Sequence, residues 1–164
     1  MALLYEKFGE FDSAEELNKA ANGLKEEGDI ESLKALFKEN GLDPEDVEDY
    51  MDGMTISEVM AAVGKLYVES VDLGLPNNIL ISDWVGYIRE LATGDKDIAI
   101  QVRRTAKSLA ECIALIMTEA FKNQWNVPKD ITDKAKLGAD KITFGIPSEA
   151  AVKKIIKDYY GGKA

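Results

Sequence analysis

The chain has 164 residues, of which 46% are hydrophobic and 30% are charged, and its net charge is −10 at pH 7. This length and apolar content predict one folded domain with a hydrophobic core and argue against intrinsic disorder. The absence of histidine, together with a single cysteine, excludes histidine-based catalysis, zinc sites built from thiolates or imidazoles, and an intrachain disulfide.

Helical periodicity in residues 1–53 predicts three short helices joined by tight turns, which we interpret as an acidic helical subdomain. Ser13 and Glu16 form a capping box before the first helix, and Asp29 is the N-cap of the second. The predicted ranges of these helices are about 14–26, 30–39 and 44–52.

Residues 54–164 are predicted to form a helical core packed against this subdomain. Thr55 and Glu58 form a second capping box, and one apolar stripe over 97–123 predicts a long central helix. The segment KITFGIP, 141–147, is the only expected extended piece, and we expect no strand pairing. The helices predicted in this part are about 56–72, 78–92, 97–123, 129–137 and 149–160. The expected fold is therefore all-α, a single compact domain of about seven or eight helices.

The negative charge is concentrated near the N-terminus. Residues 1–60 carry 17 acidic against 5 basic residues, a net charge of −12, whereas residues 61–164 carry 13 against 15, a net charge of +2. Within the acidic part, the stretch GLDPEDVEDYMDG, 41–53, holds six carboxylates and no positive charge. Charge asymmetry of this kind concerns partners and electrostatic steering rather than fold.

Half of these six carboxylates have a structural explanation. Asp43 is a suitable N-cap with Pro44 at the first helical position, and Glu45 and Asp46 lie at the favourable end of the helix dipole. An EF-hand beginning at Asp43 is excluded, because its third, fifth, sixth and twelfth positions hold Glu, Val, Glu and Met. Calcium binding of that type is therefore not expected.

Glu48, Asp49 and Asp52 have no such explanation, and no basic residue lies between Lys38 and Lys65 to pair with them. One interpretation is a solvated acidic face. The other is a negative surface that binds a basic cleft as nucleic-acid phosphates would. The candidate partner-binding residues are Glu45, Glu48, Asp49 and Asp52, with Glu39, Asp46 and Glu58 at the margin.

Arg103, Arg104 and Lys107 form a basic patch on the predicted central helix and are the alternative candidates, for contact with nucleic acid. Three basic side chains contribute little to the affinity for nucleic acid, and the overall negative charge of the chain opposes such binding. We therefore favour pairing within the protein, against the acidic N-terminal third.

Other chemically distinctive side chains are assigned to the core. Cys112 lies beside an apolar stripe and is predicted to be a small buried side chain rather than a reactive thiol. Trp84 and Trp125 are likewise predicted to be buried. Tyr159 and Tyr160 are most simply core residues as well, although Tyr160 falls off the apolar stripe of the last helix and is therefore also a candidate exposed interface anchor.

Four segments carry a resemblance to a known group of proteins. EKFGEFDSAEELNKAA, KENGLDPEDVEDYMDG, VRRTAKSLAECI and GIPSEAAVKKIIKDYY resemble small acidic proteins of Firmicutes mobile elements and prophages, along nearly the whole chain. The resemblance implies an anti-CRISPR protein that inhibits the type II RNA-guided DNA nuclease, and it carries over no functional residue.

The leading hypothesis is a non-enzymatic protein, without metal or cofactor, that inhibits such a nuclease by stoichiometric binding. The alternative is an accessory or regulatory module of a mobile element that binds DNA or a partner protein through basic patches. An enzyme that uses carboxylates and a metal is a third possibility. No signal sequence and no run of about 18 apolar residues is present, so we expect a cytoplasmic protein without a membrane span.

Overall fold

The computed structural model describes residues 4–139 and 141–162. These residues form nine α-helices, two 3-10 turns and one small two-stranded sheet, which confirms the prediction of a compact all-α domain. No helix in the described ranges is long and apolar enough to cross a bilayer. The helices are α1 (Ala14–Glu27), α2 (Ile30–Glu39), α3 (Val47–Met51), α4 (Glu58–Asp72), α5 (Ile79–Gly94), α6 (Lys96–Arg103), α7 (Leu109–Lys122), α8 (Lys129–Ala135) and α9 (Glu149–Gly161). The 3-10 turns are Pro44–Asp46 and Leu75–Asn77, and the strands are β1 (Trp125–Asn126) and β2 (Thr143–Phe144).

The first two helices begin where their capping residues predict. The Ser13 hydroxyl accepts a hydrogen bond from the Glu16 N–H at 3.1 Å, and the Glu16 carboxylate accepts one from the Asp12 N–H at 2.9 Å. Asp29 caps α2 by accepting from the Ser32 N–H at 2.9 Å. Each cap satisfies helix donors that would otherwise have no partner in the chain.

The predicted start of the fourth helix is wrong by two residues, because Ser57 rather than Thr55 is the cap. The Ser57 hydroxyl accepts from the Met60 N–H at 3.1 Å. Ile56 is held outside the helix by Asn18, whose side chain binds both the N–H of Ile56, at 2.9 Å, and its carbonyl, at 2.8 Å. That contact spans 38 residues, so the local sequence does not reveal it.

The predicted long central helix over 97–123 is also wrong. It is two helices, α6 and α7, separated by residues 104–108. Arg104 leaves the helical conformation with ψ at 136°, and Ser108 caps α7 by accepting from the Glu111 N–H at 3.2 Å.

Two side chains of α4, one turn apart, explain this break. Lys65 donates from Nζ to the carbonyl oxygens of Arg104, at 2.6 Å, and Lys107, at 2.8 Å. Glu69 accepts from the Leu109 N–H at 2.7 Å. The ammonium group of Lys65 therefore binds the carbonyl oxygens of the connection, and the carboxylate of Glu69 binds the first N–H group of α7.

The buried apolar side chains form two clusters, and α4 contributes to both. The first draws mainly on the predicted acidic subdomain but also includes residues beyond position 53. Its buried members are Ala14, Leu17, Ala21, Leu33, Leu36, Phe37, Leu42, Val47, Tyr50, Ile56 and Ala61. The second comprises Ala62, Leu66, Trp84, Val85, Ile88, Ala92, Ile98, Ala99, Val102, Leu109, Cys112, Ile113, Ile116, Val152, Ile156 and Tyr160. Residues 1–3 and 163–164, at the ends of the two predicted units, lie outside the described residues.

The second cluster decides three of the individual predictions. Cys112 is buried as predicted, and burial raises the pKa of its thiol to about 12, so the thiol is not a nucleophile near neutral pH. Trp84 is buried as predicted. Tyr160 is only 1% exposed, which confirms its assignment to the core; the alternative of an exposed anchor is wrong, because α9 turns this face towards the core.

Two glycines bring the end of α2 against α4. Gly41 has a φ of +70°, and a Cβ at that position would collide with the backbone of Gly64. A Cβ at Gly64 would in turn collide with the carbonyl oxygen of Asn40. Only glycine permits this backbone approach, which joins the acidic end of the chain to the core.

The expectation that no strands pair is wrong as well. β1 and β2 are antiparallel, with Trp125 opposite Phe144, and the two rings lie 6.5 Å apart. Trp125 is 55% exposed, so its predicted burial is wrong. The chain after β2 lies close to α7, because a Cβ at Gly145 would collide with the carbonyl oxygen of Ala120. This contact, with the strand pairing, holds the ribbon on the end of α7.

Candidate partner-binding surface

The acidic stretch folds as a 3-10 turn that leads directly into α3. Asp43 caps the turn, its Oδ1 accepting from the Glu45 N–H at 2.9 Å, and Pro44 occupies the first position. These contacts confirm the predicted start of this helix. Because the Asp43 carboxylate caps the turn, we assign it a structural role and do not count it among the partner-binding residues.

The orientation of α3 is fixed by its inward side chains. Val47 and Tyr50 are fully buried, and the Tyr50 ring packs edge-on against Phe37 with centroids 5.5 Å apart. The Tyr50 hydroxyl donates to Oδ1 of Asn22 at 2.9 Å. Met51 packs against the same cluster, and with this face anchored the acidic side chains of the helix point away from the core.

The outward side carries the acidic side chains, including the three carboxylates without a structural explanation. Five carboxylates lie here, four of them exposed and that of Asp46 half-buried. Within the described residues, none of the five accepts a hydrogen bond or forms an ion pair. We call this set the α3 acidic surface. Its members are Glu45, Asp46, Glu48, Asp49 and Asp52.

The two marginal candidates outside this helix have different surroundings. Glu39 accepts from the backbone N–H groups of Phe8, at 3.0 Å, and Lys7, at 3.2 Å, so it holds the N-terminal segment against α2. Glu58 is half-buried in the first turn of α4, and one of its oxygens is enclosed without a partner among the described residues. These two carboxylates are therefore less available for a partner than those of the α3 acidic surface.

Lys25 is a neighbour of the α3 acidic surface that the sequence analysis missed. Its Nζ donates to the carbonyl oxygen of Tyr50 at 3.0 Å and lies 5.7 Å from the centre of that ring. A cation at a helix C-terminus is favourable, so Lys25 offsets part of the unfavourable position of Asp52. The 25-residue separation hides the contact from local pattern analysis.

Arg103, the first of the alternative basic residues, is fully buried. Its guanidinium donates from Nε to the carbonyl oxygen of Phe11, at 2.9 Å, and from Nη2 to Oδ1 of Asn40, at 2.7 Å. Burial lowers its pKa, because the charged form is removed from water. This side chain is thus part of the packing between the N-terminal segment and α6.

The other two basic residues also bind within the protein, as the sequence analysis favoured. Arg104 forms an ion pair with Asp12 at 2.6 Å. Lys107 donates from Nζ to the carbonyl oxygen of Tyr159 at 2.8 Å and lies over that ring, 4.4 Å from its centre. The pairing partner of Arg104 belongs to the acidic N-terminal third, as predicted.

The α3 acidic surface consists of carboxylates that, within the described part of the chain, lie apart from any metal-ligand arrangement. In residues 4–139 and 141–162, no group of three or more acidic or cysteine side chains is arranged to hold a metal ion. The surface instead presents negative charge on a short segment anchored by buried side chains.

Comparisons with protein-family models, with curated proteins and with solved structures find no match for this chain. The functional proposal therefore rests on the α3 acidic surface and on the resemblance of the four segments described above.

Proposed function

We propose that the protein is an anti-CRISPR inhibitor that binds a type II RNA-guided DNA nuclease in a stoichiometric complex, through the α3 acidic surface. The observation that carries this proposal is the set of five carboxylates on one anchored helical segment, none paired within the described residues. The nuclease itself is suggested by the resemblance of the four sequence segments.

The arrangement of charge on α3 lowers its own stability, which favours a role outside the fold. Glu45 and Asp49, and likewise Glu48 and Asp52, are like-charge pairs four residues apart, each costing about 0.2–0.5 kcal/mol. RNA-guided nucleases hold their nucleic acids in positively charged channels. A compact negative surface would complement such a channel, raise the rate of association and occupy the space of phosphates.

The contacts of the basic residues support this proposal over the alternative of a DNA-binding accessory module. That module would need Arg103, Arg104 and Lys107 to reach phosphates. Arg103 is buried, and the other two are occupied by contacts within the protein. Releasing them would break interactions that hold the N-terminal segment and α9 in place.

The proposal places the protein in the bacterial cytoplasm, together with the nuclease, as a product of a mobile element or prophage. The test is co-purification with a tagged type II nuclease, with and without guide RNA, from cells that express both proteins. We expect an equimolar complex whose association rate falls as ionic strength rises. Preference for the guide-loaded form would assign the contact to the assembled channel. Absence of a complex with every nuclease in a broad panel would contradict the proposal.

A further inference from the structure

A groove of about 290 Å³ lies between the start of α5, the last turns of α7 and the chain that follows β2. Four large apolar side chains line it and remain exposed to solvent. The exposed fractions are 39% for Leu80, 50% for Met117, 75% for Phe121 and 57% for Ile146. Phe121 is therefore a projecting aromatic ring at the edge of an apolar depression.

The wall of the groove is held in place by backbone packing and a hydrogen bond. Gly145 packs directly on the backbone of Ala120, which leaves no space for a side chain at that position. The hydroxyl of Thr143 donates to Oε1 of Gln124 at 3.1 Å, which joins β2 to the end of α7 a second time. The wall formed by the ribbon is thus fixed relative to the helix that carries Phe121.

The lining of the groove is uncharged. None of the nine described residues that line it is acidic or basic, although 30% of the residues in the chain are charged. Depletion of charge is typical of the centre of a protein–protein interface. A groove of this kind does not complement a basic nuclease channel, so it calls for a different occupant from that of the α3 acidic surface.

The exposed apolar area around the groove can be compared with that of a standard interface. The four side chains together expose roughly 500 Å², scaled from typical side-chain areas. A standard interface buries about 800 Å² on each partner, of which a little over half is apolar. This area is an upper bound on what a partner seated on the groove and on the Phe121 ring could cover, so the contact fits a weak dimer rather than a tight one.

We propose that this groove is the contact of a symmetric homodimer, in which Phe121 of each copy enters the groove of the other. A two-fold contact requires a self-complementary patch, and here the projecting ring and the depression lie side by side. The net charge of −10 on the whole chain opposes self-association, but the residues that line the groove are uncharged and residues 61–164 carry a net charge of only +2, so repulsion at the contact itself is small.

The test is sedimentation equilibrium of the full chain over a range from roughly 1 μM to 500 μM, which spans the affinities of ordinary weak dimers. We expect a monomer–dimer equilibrium. Phe121→Asp should raise the dimer dissociation constant at least about thirtyfold, because the symmetric contact loses two buried rings. Met117→Lys, on the same wall, should act in the same direction, and circular dichroism should show that both variants keep the helical fold.

The matched control is Val71→Asp, which places the same charge on α4 at a valine that is 52% exposed and does not line the groove. It should leave the dissociation constant unchanged. A chain that stays monomeric at the highest concentration overturns the proposal, even if the groove binds a peptide or a hydrophobic dye. A dimer whose dissociation constant is unchanged by Phe121→Asp and Met117→Lys also overturns it. The same holds if Val71→Asp weakens the dimer as much as the two groove variants do.

Discussion

Replacing Lys65 with methionine tests the contact that interrupts the predicted central helix. The Lys65 side chain is 1% exposed, and its ammonium group pairs with Glu10 at 2.7 Å and approaches Glu69 at 3.7 Å. It also donates to the carbonyl oxygens of Arg104 and Lys107. Methionine keeps the length and apolar stem of the side chain, so the variant removes the charge and donors without opening a large cavity.

The expected loss follows from the groups left behind. Removing one partner of a buried charge pair costs about 3–5 kcal/mol, because the remaining charge and acceptors are buried without compensation. For a chain of this length, such a loss lowers the melting temperature by roughly 6–20 °C. Burial is the largest influence on the pKa of Glu69 and raises it. Without Lys65, this carboxyl should bind a proton more readily, so the destabilisation should shrink as the pH falls.

The assay is urea unfolding followed by circular dichroism, with Lys129→Met as the matched control. Lys129 also pairs with a carboxylate, that of Asp133 at 2.9 Å, but its side chain is 82% exposed. An exposed pair of this kind contributes about 0–1 kcal/mol. A loss below about 1 kcal/mol for Lys65→Met, or one equal to that of the control, would refute the buried-cluster reasoning.

Two further variants test the packing and the pH dependence. Gly64→Ala should destabilise the fold by about 1–3 kcal/mol because its methyl group meets the carbonyl oxygen of Asn40, directly after α2, whereas Gly86→Ala, at an open position in α5, should stabilise it by about 0.5–1 kcal/mol. If urea unfolding showed that both variants change the free energy of unfolding in the same direction, the close approach of the two backbones would be contradicted. Hydrogen bonds from the Thr105 N–H and from Arg104 hold the pKa of Asp12 below its ordinary value of 3.8. Ionised Asp12 therefore stabilises the fold above that value, and the contribution is lost as the pH falls through the lowered pKa of the folded state. Asp12→Asn should cost roughly 1 kcal/mol at pH 7, and the difference from wild type should close below pH 3.8; a pH-independent difference would contradict this assignment.

The features that were predicted correctly are those encoded over a few residues. Ser13, Asp29 and Asp43 cap their helices through bonds to N–H groups two or three positions away, and such spacings are visible in the sequence. The helical periodicity of the apolar residues likewise identified the all-α fold, because each helix must bury one face.

The features that were missed depend on contacts between distant residues. The apolar stripe over 97–123 continues across the break, so nothing local shows that Lys65 and Glu69 bind the intervening backbone. The ribbon depends on pairing between Trp125 and Phe144, in strands of only two residues that carry no alternating pattern.

The candidate surface shows the same division. Glu48, Asp49 and Asp52 could be selected from sequence because their lack of a cap or dipole role is a local property. The structural role of Glu39 could not be predicted in this way, because Glu39 binds backbone N–H groups more than 30 residues away. The contact of Lys25 with the end of α3 could not be predicted from sequence either, because Lys25 belongs to a different helix.

The central claim is that the α3 acidic surface binds the nuclease, and charge reversal tests it most directly. The variant combines Glu48→Lys, Asp49→Lys and Asp52→Lys. The readout is DNA cleavage by a nuclease that the wild-type protein inhibits, titrated with each form of the protein. The control reverses three exposed acids outside this surface, which form no ion pair within the described residues. They are Asp72, Asp83 and Asp130.

Both triple variants change the net charge by the same amount, so a difference between them reports position rather than total charge. The α3 variant should keep its helicity and melt within a few degrees of wild type, because the altered side chains make no contact that holds the fold. We predict that it no longer inhibits cleavage, while the control variant inhibits at close to a one-to-one ratio. Inhibition that survives reversal of all three α3 charges would contradict the account.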